Sequence, residues 1–469
     1  MVRNSVVLAV YLLFSVVCFF TVHEHYGRVS KESWWVMGVV LAASFFMGIL
    51  LEDVSGRGTG RGKRLAAAAA VGIAAVPLIV VKNGNFLLHV LADKGPVDWI
   101  VPIGMSFYTL QIISYVVDVS RGTIRAERNP GKYALFICFF PQIIQGPIPR
   151  YGQLAGQLWE GHRFDEREFV KGIWLILWGF FLKLMIADRA GTAVNTIFSG
   201  WEAYQGFYVL VGGGLYGIEL YGDFLSCVCL AKGTAQLFGI TLADNFLHPY
   251  MARSVKEFWG RWHLSLSSWL KDYIYIPLGG NRRGTLRRYG NILATFAVSG
   301  VWHGAGYKYI FWGLMHGVYQ IAGDLTKGVR DRICRILGME ADNRVRVWTE
   351  RAFTWFWVTA AWVIFRAGGL KQGLFMVRSM VMVYNPWIFF DDSLLSLGLS
   401  WKEWVILGCS VMVLMKAEKA QEKGCIRDAL LKQPLIVRWG ATLGAAAVIM
   451  VFGSYGYGFS ASDFIYGRF

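Results

Sequence analysis

Two histidines in one apolar stretch are the first candidates for chemistry. His303 and His316 lie in SGVWHGAGYKYIFWGLMHG, residues 299–317, and each is followed directly by a glycine. An imidazole among apolar neighbours tends to stay neutral, because loss of hydration disfavours its charged form. A neutral imidazole can accept a proton near neutral pH, so the stretch is a candidate for general base catalysis. The alternative is that both rings are core histidines hydrogen-bonded to backbone carbonyl groups.

A third histidine, His263, stands in a segment of different character, FWGRWHLSLSSWLKDYIYIPLGGNRRG, residues 258–284. Large apolar residues and this histidine recur there at helical spacing: Trp259, His263, Leu266, Leu270 and Tyr273. Polar side chains occupy the other face. The pattern predicts one amphipathic helix, suited to an interface or a funnel wall rather than to a lipid-exposed span. Pro277, Gly279 and Gly280 are expected to end it and turn the chain into a basic loop.

The composition indicates what kind of fold must position these histidines. The chain has 469 residues, of which 55% are hydrophobic and 17% charged. Soluble domains carry about 45–50% apolar and roughly 25% charged residues. The apolar residues form long blocks, which predicts an all-α polytopic membrane protein with about ten to twelve spans of roughly 20 residues. We expect a single integral-membrane domain over residues 1–469.

The apolar blocks give the positions of the expected spans. They are 5–21, 34–51, 65–81, 99–117, 170–187, 206–220, 291–302, 307–322, 352–365, 404–415 and 440–452. Residues 132–154 contain Pro141, Pro147 and Pro149, which cannot lie in one unbroken helix. Because irregular backbone at membrane depth is tolerated only inside protein or along a cavity, this segment is predicted to be re-entrant or a broken helix that lines a tunnel. Polar residues scattered through a later apolar run are expected to be paired and to face the interior, with loop positions as the alternative for some of them: Asp223, Lys232, Asp244 and Asn245.

The charge and the cysteines exclude other classes of function. The formal net charge is +16, which fits basic loops held against an anionic leaflet by the positive-inside rule. A basic cytoplasmic face would also suit a polyanionic co-substrate, and the charge alone does not choose between the two. No nucleic-acid partner is predicted. The seven cysteines lack the spacing of a metal site or a disulfide framework, so no metal site is predicted either.

Five segments together resemble the membrane-bound O-acyltransferase superfamily, and within it the bacterial branch typified by alginate O-acetyltransferase. They are PIGMSFYTLQIISYVVDVSRG (102–122), FFPQIIQGPIPR (139–150), AQLFGITLADNFLHPYMARSVKEFWGRWH (235–263), RWHLSLSSWLKDYIYIPLGGNRRG (261–284) and SGVWHGAGYKYIFWGLMHG (299–317). The resemblance covers about residues 100–320. The chain departs from it at residues 224–233, where FLSCVCLAKG replaces a motif such as FSGYSDMAIG.

The resemblance implies a bowl of helices with a central tunnel, in which an acyl group passes from a thioester to a hydroxyl. The near-invariant histidine of the family maps to His303, and a second polar position, His in this branch and Asn in others, maps to His263. His303 would take the hydroxyl proton and return it to the thiolate. His263 would orient the acceptor or stabilise the oxyanion. His316 is a possible additional site residue.

The implied reaction also suggests a donor and an acceptor. No bound cofactor is expected, and acetyl-CoA is the expected co-substrate. Four arginines after residue 281 are candidates for holding its phosphates, with a solvated cytoplasmic loop as the alternative: Arg282, Arg283, Arg287 and Arg288. The expected acceptor is an exported or cell-surface polysaccharide, reached directly or through a periplasmic or extracellular partner.

Two other functions remain open at this point. One is the transfer of D-alanine from a carrier protein to teichoic acid, which is the activity of a related branch. The other is a transporter or channel that uses intramembrane polar residues for conduction. For all three, the expected location is the cytoplasmic membrane of a bacterium, crossed several times.

Overall fold

The computed structural model describes residues 32–57, 60–92, 97, 102, 104–422 and 424–455. Every regular element in these ranges is a helix, which confirms the all-α prediction. Five helical segments of the described chain are long and apolar enough to cross a membrane: Trp35–Val54, Gly60–Ala92, Glu166–Ser199, Phe207–Leu237 and Leu435–Phe452. The expected span at 5–21 lies outside the described residues, and the total of ten to twelve spans stays a prediction.

The described chain divides into two compact units. The first contains the residues up to Ile173 together with Leu230–Ala243. Its helices are α1 (Glu32–Arg57), α2 (Gly60–Ala92), α3 (Met105–Arg121), α4 (Pro130–Cys138) and α5 (Tyr151–Trp159). The long helices α1, α2 and α3 pack against one another, and Tyr133 of α4 donates a hydrogen bond to the Ser44 hydroxyl of α1 at 2.8 Å.

The proline-containing segment breaks its helix as expected. Helix α4 ends at Cys138, turns occupy residues 139–146, and α5 begins only at Tyr151. Gln142 and Gln145 in the turns are buried. Because proline lacks an amide hydrogen and clashes with the preceding turn, the chain cannot continue as one helix. The break is therefore confirmed, whereas a tunnel along it stays a prediction.

The second unit contains Trp174–Cys229 and the described residues from Asp244 onwards. Its helices, with two that begin or end in the first unit, are α6 (Glu166–Phe181), α7 (Asp188–Ser199), α8 (Phe207–Leu237), α9 (Val255–Trp259), α10 (Leu264–Leu270), α11 (Thr285–His303), α12 (Tyr307–Ile336), α13 (Arg344–Arg366), α14 (Leu370–Met382), α15 (Trp401–Gln421), α16 (Ile426–Leu431) and α17 (Leu435–Phe452). Single π-turns follow α6 (Leu182–Ala187) and α10 (Lys271–Tyr275).

Several helices extend beyond the apolar blocks that predicted them. Helix α8 reaches Leu237 although the block ends at residue 220, and α12 continues to Ile336. Hydropathy finds only the apolar part of a helix. The added residues of α12 include Lys327, Arg330, Arg332 and Arg335, and because lysine and arginine are good helix formers, this helix continues through a polar end.

The prediction of one amphipathic helix between Phe258 and the turn that begins at Pro277 is wrong. The chain forms the short helices α9 and α10 and a π-turn, and the break between α9 and α10 falls at His263. His263 has φ 47° and ψ 54°, a left-handed conformation that no right-handed helix can include. Periodicity alone indicated a helix here because the flanking residues keep helical spacing on both sides of the break.

Glycines allow α11 and α12 to pack in close backbone contact. A Cβ atom at Gly313 would fall on the carbonyl oxygen of Phe296, and one at Gly300 on that of Tyr309. We expect Gly313→Ala to lower the free energy of unfolding by about 1–3 kcal/mol or more, because neither backbone can move without separating the helices. Thermal unfolding in detergent measures this.

The same helix offers a matched control for this substitution. A Cβ at Gly323 of α12 meets no atom within 4 Å. Gly323→Ala should therefore stabilise the protein by up to about 1 kcal/mol through helix propensity. Equal melting temperatures for the two variants would contradict the proposed close contact.

Candidate active site

His303 is the last residue of α11, and the chain changes direction immediately after it. Gly304 is fully extended, and a Cβ there would fall on the ring of Tyr309, so only glycine fits. The expected separation of the spans 291–302 and 307–322 is confirmed, since α11 ends at His303 and α12 begins at Tyr307. The helix end fixes the imidazole of His303 inside the second unit, where its side chain is buried.

Aromatic rings surround the His303 imidazole. Its centroid lies 4.8 Å from that of Trp302, 4.9 Å from Trp312 and 5.6 Å from Phe365, each in an edge-to-face arrangement. Such rings exclude water and lower the local dielectric constant, and both effects favour a neutral imidazole. A neutral ring in a site of this kind can accept a proton from a substrate hydroxyl.

His263 lies against the same indole as His303. The His263 ring is 6.1 Å from the Trp302 ring and 4.6 Å from Phe224. Its exposed fraction is 0%, and burial lowers the pKa of His263 to about 3. The tertiary structure thus brings two imidazoles that are forty residues apart in sequence to one tryptophan side chain. Trp302 is a site residue that the sequence analysis did not single out.

Aromatic side chains also surround the imidazole of His316, and one of them is shared with His303. Trp312 contacts both imidazoles, at 4.9 Å from His303 and 5.0 Å from His316. Trp259 is 5.1 Å from His316 on another side. Neither ring nitrogen of His316 has a hydrogen-bond partner among the described residues. The alternative that His316 bonds to a backbone carbonyl is therefore absent from the described chain, and a role in the reaction stays a prediction.

Three buried serine hydroxyls occur close in the sequence to His263, to His303 or to Phe224, whose ring contacts His263. Ser265 follows His263 by two residues, Ser299 precedes His303 by one helical turn, and Ser226 follows Phe224 in α8. Their Oγ atoms have no hydrogen-bond partner within the described part of the chain. Buried hydroxyls without protein partners require water or a bound substrate. The spacing of Ser299 and His303, which places both on one helix face, was the signal in the sequence that could have identified Ser299.

A buried ion cluster lies in the helices next to Phe224. The Nζ atom of Lys183 is 2.8 Å from Oδ1 of Asp223 and 2.9 Å from Oδ1 of Asp188. The side chains are 11%, 2% and 3% exposed, respectively. The expectation that Asp223 is paired is confirmed. Its partner belongs to the π-turn that interrupts the preceding span, which apolar periodicity did not reveal.

Removing the cation of this cluster should strongly destabilise the protein. Lys183→Met leaves two buried carboxylates without their shared ammonium group, and breaking a buried pair costs about 3–5 kcal/mol. The control is Lys171→Met, because Lys171 pairs with Glu168 at 2.9 Å at a more exposed site. That change should cost less than about 1 kcal/mol. Melting temperatures in detergent compare the two, and similar values would contradict a structural role for the cluster.

The four candidate arginines lie at the opposite end of α11 from His303. Arg282 and Arg283 are in the preceding turns, and Arg287 and Arg288 are in the first turn of the helix. The first three are exposed, whereas Arg288 pairs with Asp324 at 3.1 Å. Sixteen residues of helix separate Arg287 from His303 by about 24 Å. A donor molecule that contacts both Arg287 and His303 would therefore have to be extended along the helix.

These features define an all-helical, multi-pass membrane protein with a pair of buried imidazoles at one indole. The sequence comparisons then assign the family: residues 96–365, more than half of the chain, match the membrane-bound O-acyltransferase family. The chain belongs to this family. Both histidines of the pair and His316 fall inside the matched region.

Curated relatives match more than half of the chain. A probable alginate O-acetylase (AlgI) of Pseudomonas putida is 38% identical over 282 residues, which are 60% of this chain and 55% of the relative. A peptidoglycan O-acetyltransferase of Helicobacter pylori is 33% identical, over 60% and 57% of the two chains. A teichoic acid D-alanyltransferase of Bacillus subtilis is 30% identical, over 52% and 64%. The chain therefore spans about half the length of the curated relatives it matches.

Proposed function

We propose that this protein is an O-acyltransferase that moves an acetyl group from a thioester, acetyl-CoA, to hydroxyls of an exported or cell-surface polysaccharide. The observation that carries the proposal is the placement of His263 and His303 against the ring of Trp302. Two imidazoles in a water-poor site provide one group to move a proton and one to bind the developing oxyanion. The relatives named as alginate and peptidoglycan O-acetylating enzymes support a glycan acceptor.

In the proposed reaction, His303 accepts the proton of the acceptor hydroxyl as the oxygen attacks the thioester carbonyl carbon. The carbonyl oxygen gains negative charge, and His263 donates a hydrogen bond to it or orients the acceptor. The carbon–sulfur bond then breaks, and protonated His303 transfers the proton to the leaving thiolate. The products are an O-acetyl ester and a free thiol, and the enzyme returns to its starting protonation state.

The charge of the chain indicates where the donor binds, and the location of the glycan indicates the side from which the acceptor is reached. Arg282, Arg283 and Arg287 are exposed cations at one end of α11 and suit the phosphates of coenzyme A. By the positive-inside rule, this end faces the cytoplasm of a bacterium, where acetyl-CoA is made. The glycan lies outside the cytoplasmic membrane, so transfer reaches it directly or through a periplasmic or extracellular partner.

The proposal is tested with purified protein in lipid vesicles. Radiolabelled acetyl-CoA is supplied with alginate, peptidoglycan fragments or cellulose oligosaccharides, and ester-linked label is measured. We expect label that alkali releases, together with one thiol for each ester formed. Thiol release without acceptor labelling would indicate that a partner is needed. Vesicles that form neither thiol nor ester would contradict the proposed activity.

D-alanyl transfer is the second candidate, and the similarity to the Bacillus subtilis relative favours it. It differs in its donor, which would be a D-alanyl thioester on a carrier protein. The same vesicles supplied with that thioester and lipoteichoic acid distinguish the two. If D-alanyl esters form faster than acetyl esters, the transferred group is D-alanine and not acetate. The proposed roles of the two histidines are the same in both cases.

A further inference from the structure

The backbone of His263 is held in a conformation that it would not adopt by itself. Among the described residues, only His248 and His263 combine a positive φ with a side chain. The left-handed conformation is unfavourable for a residue other than glycine, because the Cβ atom comes too close to the following carbonyl oxygen. Such strain persists only where the surroundings enforce it, and it is concentrated at functional sites. The contacts that enforce it at His263 come from residues 245–247.

Asn245 holds the two residues that follow His263. Its backbone oxygen accepts a hydrogen bond from the Leu264 amide at 2.9 Å, and its side-chain Oδ1 accepts one from the Ser265 amide at 3.0 Å. On the other side of His263, the Leu247 amide donates to the carbonyl oxygen of Arg261 at 2.9 Å. The chain is therefore attached to one short segment both before and after the histidine.

These bonds also replace the usual cap of a helix. Leu264 and Ser265 are the first two residues of α10, and their amides have no partner inside the helix. The residue before the helix normally accepts from such amides through its own side chain. His263 occupies that position, yet its side chain does not cap the helix. Because Asn245 supplies the cap, the imidazole can instead turn towards Phe224 and Trp302.

We propose that Asn245 is a positioning residue that fixes the backbone of His263 and thereby holds its imidazole at Trp302. This inference rests on the proposed role of His263 in acyl transfer. Asn245 is 1% exposed, and the Ser265 amide fixes which side-chain atom is the oxygen. Its Nδ2 group has no hydrogen-bond partner among the described residues. Within the described chain, the Asn245 side chain therefore acts only as a hydrogen-bond acceptor, and an aspartic acid side chain can also accept this bond.

The first test compares rates for variants of the full-length protein in vesicles. We expect Asn245→Ala to lower kcat by about 10–100-fold with little change in the KM for the thioester, because a small displacement of a catalytic group is costly. Asn245→Asp keeps an acceptor for the Ser265 amide, and because burial favours the neutral form of its carboxyl group, it should restore most of the rate. Loss of activity in Asn245→Asp equal to that in Asn245→Ala would overturn the proposal.

Asn385 provides the matched control. It is also a buried asparagine whose Oδ1 accepts a backbone amide at the start of a helix, from Phe207 of α8 at 2.8 Å. Asn385→Ala should lower the melting temperature while kcat for the folded protein stays within about twofold of wild type, because it removes a cap of similar strength elsewhere. If both alanine variants lose rate in proportion to stability, Asn245 is merely structural.

A double-mutant cycle tests whether Asn245 acts through His263. If it does, Asn245→Ala should cause no further loss in a His263→Ala background, because the group that it positions is already gone. A full additional loss of about 10-fold or more would show an independent role and overturn the proposal. Asn245→Ser, whose hydroxyl is too short to reach the Ser265 amide, replaces Asn245→Ala if the latter does not fold.

Hydrogen exchange tests the same contacts without any catalytic measurement. In Asn245→Ala or Asn245→Ser, the amide of Ser265 should exchange faster than in wild type, with exchange at Phe207 unchanged, because only the Ser265 amide is bonded to the side chain of Asn245. Unchanged exchange at Ser265 would overturn the proposal. If wild type forms no ester but exchange rises as expected, the proposed function fails while the positioning of the His263 backbone stands.

Discussion

Replacing His303 with alanine or glutamine is expected to lower the rate of acyl transfer by about 10²–10⁴-fold, the usual contribution of a general acid–base group. The ring lies at the end of α11 among Trp302, Trp312 and Phe365. Glutamine keeps most of the side-chain volume and remains polar, but it cannot accept the hydroxyl proton. His303→Gln should therefore stay folded and yet be as inactive as His303→Ala.

Steady-state kinetics with labelled thioester check this result. The KM for the thioester should change little, since the proton transfer contributes to the transition state and not to binding of the donor. His162 is a suitable control because it lies in the first unit and bonds to the backbone oxygen of Gln157 at 2.6 Å. His162→Ala should transfer acetyl groups at nearly the wild-type rate. Wild-type activity in His303→Gln would refute the assignment of His303.

The second large effect is expected at His263. His263→Ala should lower kcat by about 10²–10³-fold, the loss seen when one oxyanion donor is removed. Glycine and asparagine both tolerate the left-handed backbone of this position, but only asparagine can donate a hydrogen bond from its side chain. We therefore expect His263→Asn to recover a substantial part of the rate, and His263→Gly to fold well and remain inactive.

The three substitutions at His263 distinguish a requirement for the left-handed backbone from a requirement for a hydrogen-bonding side chain. If φ 47° were the only requirement at this position, His263→Gly would be active and His263→Ala would fail mainly through loss of stability. Measuring the melting temperature beside kcat distinguishes the two cases. Activity in His263→Gly equal to that in His263→Asn would contradict a hydrogen-bonding role for this side chain.

Local sequence determined the class of the protein and several helix ends. Long apolar blocks predict a helical membrane protein, because backbone polar groups in lipid must be satisfied within the segment. Gly304 and Gly306 mark the break between α11 and α12, and the prolines of residues 141–149 mark the break between α4 and α5. Each of these features depends on a few neighbouring residues, so it can be seen without the fold.

The candidate site was only partly visible in the sequence. His303 and His263 stood out through their apolar surroundings and the resemblance of their motifs, but nothing local indicated that both contact Trp302. Asp223 was expected to be paired, yet Lys183 could not be named as its partner. Contacts between distant residues depend on how helices pack, and periodicity carries no information about that.

The break at His263 shows what only the tertiary structure decided. The residues on either side of it have helical spacing, and local propensity favours one continuous amphipathic helix. The hydrogen bonds from Leu264 and Ser265 to Asn245 override that preference and stabilise a left-handed residue. The sequence by itself determined that a buried histidine lies here among aromatic residues. Its direction was decided by an asparagine from a preceding loop, because long-range hydrogen bonds in a dry interior outweigh a local conformational cost of about 1–2 kcal/mol.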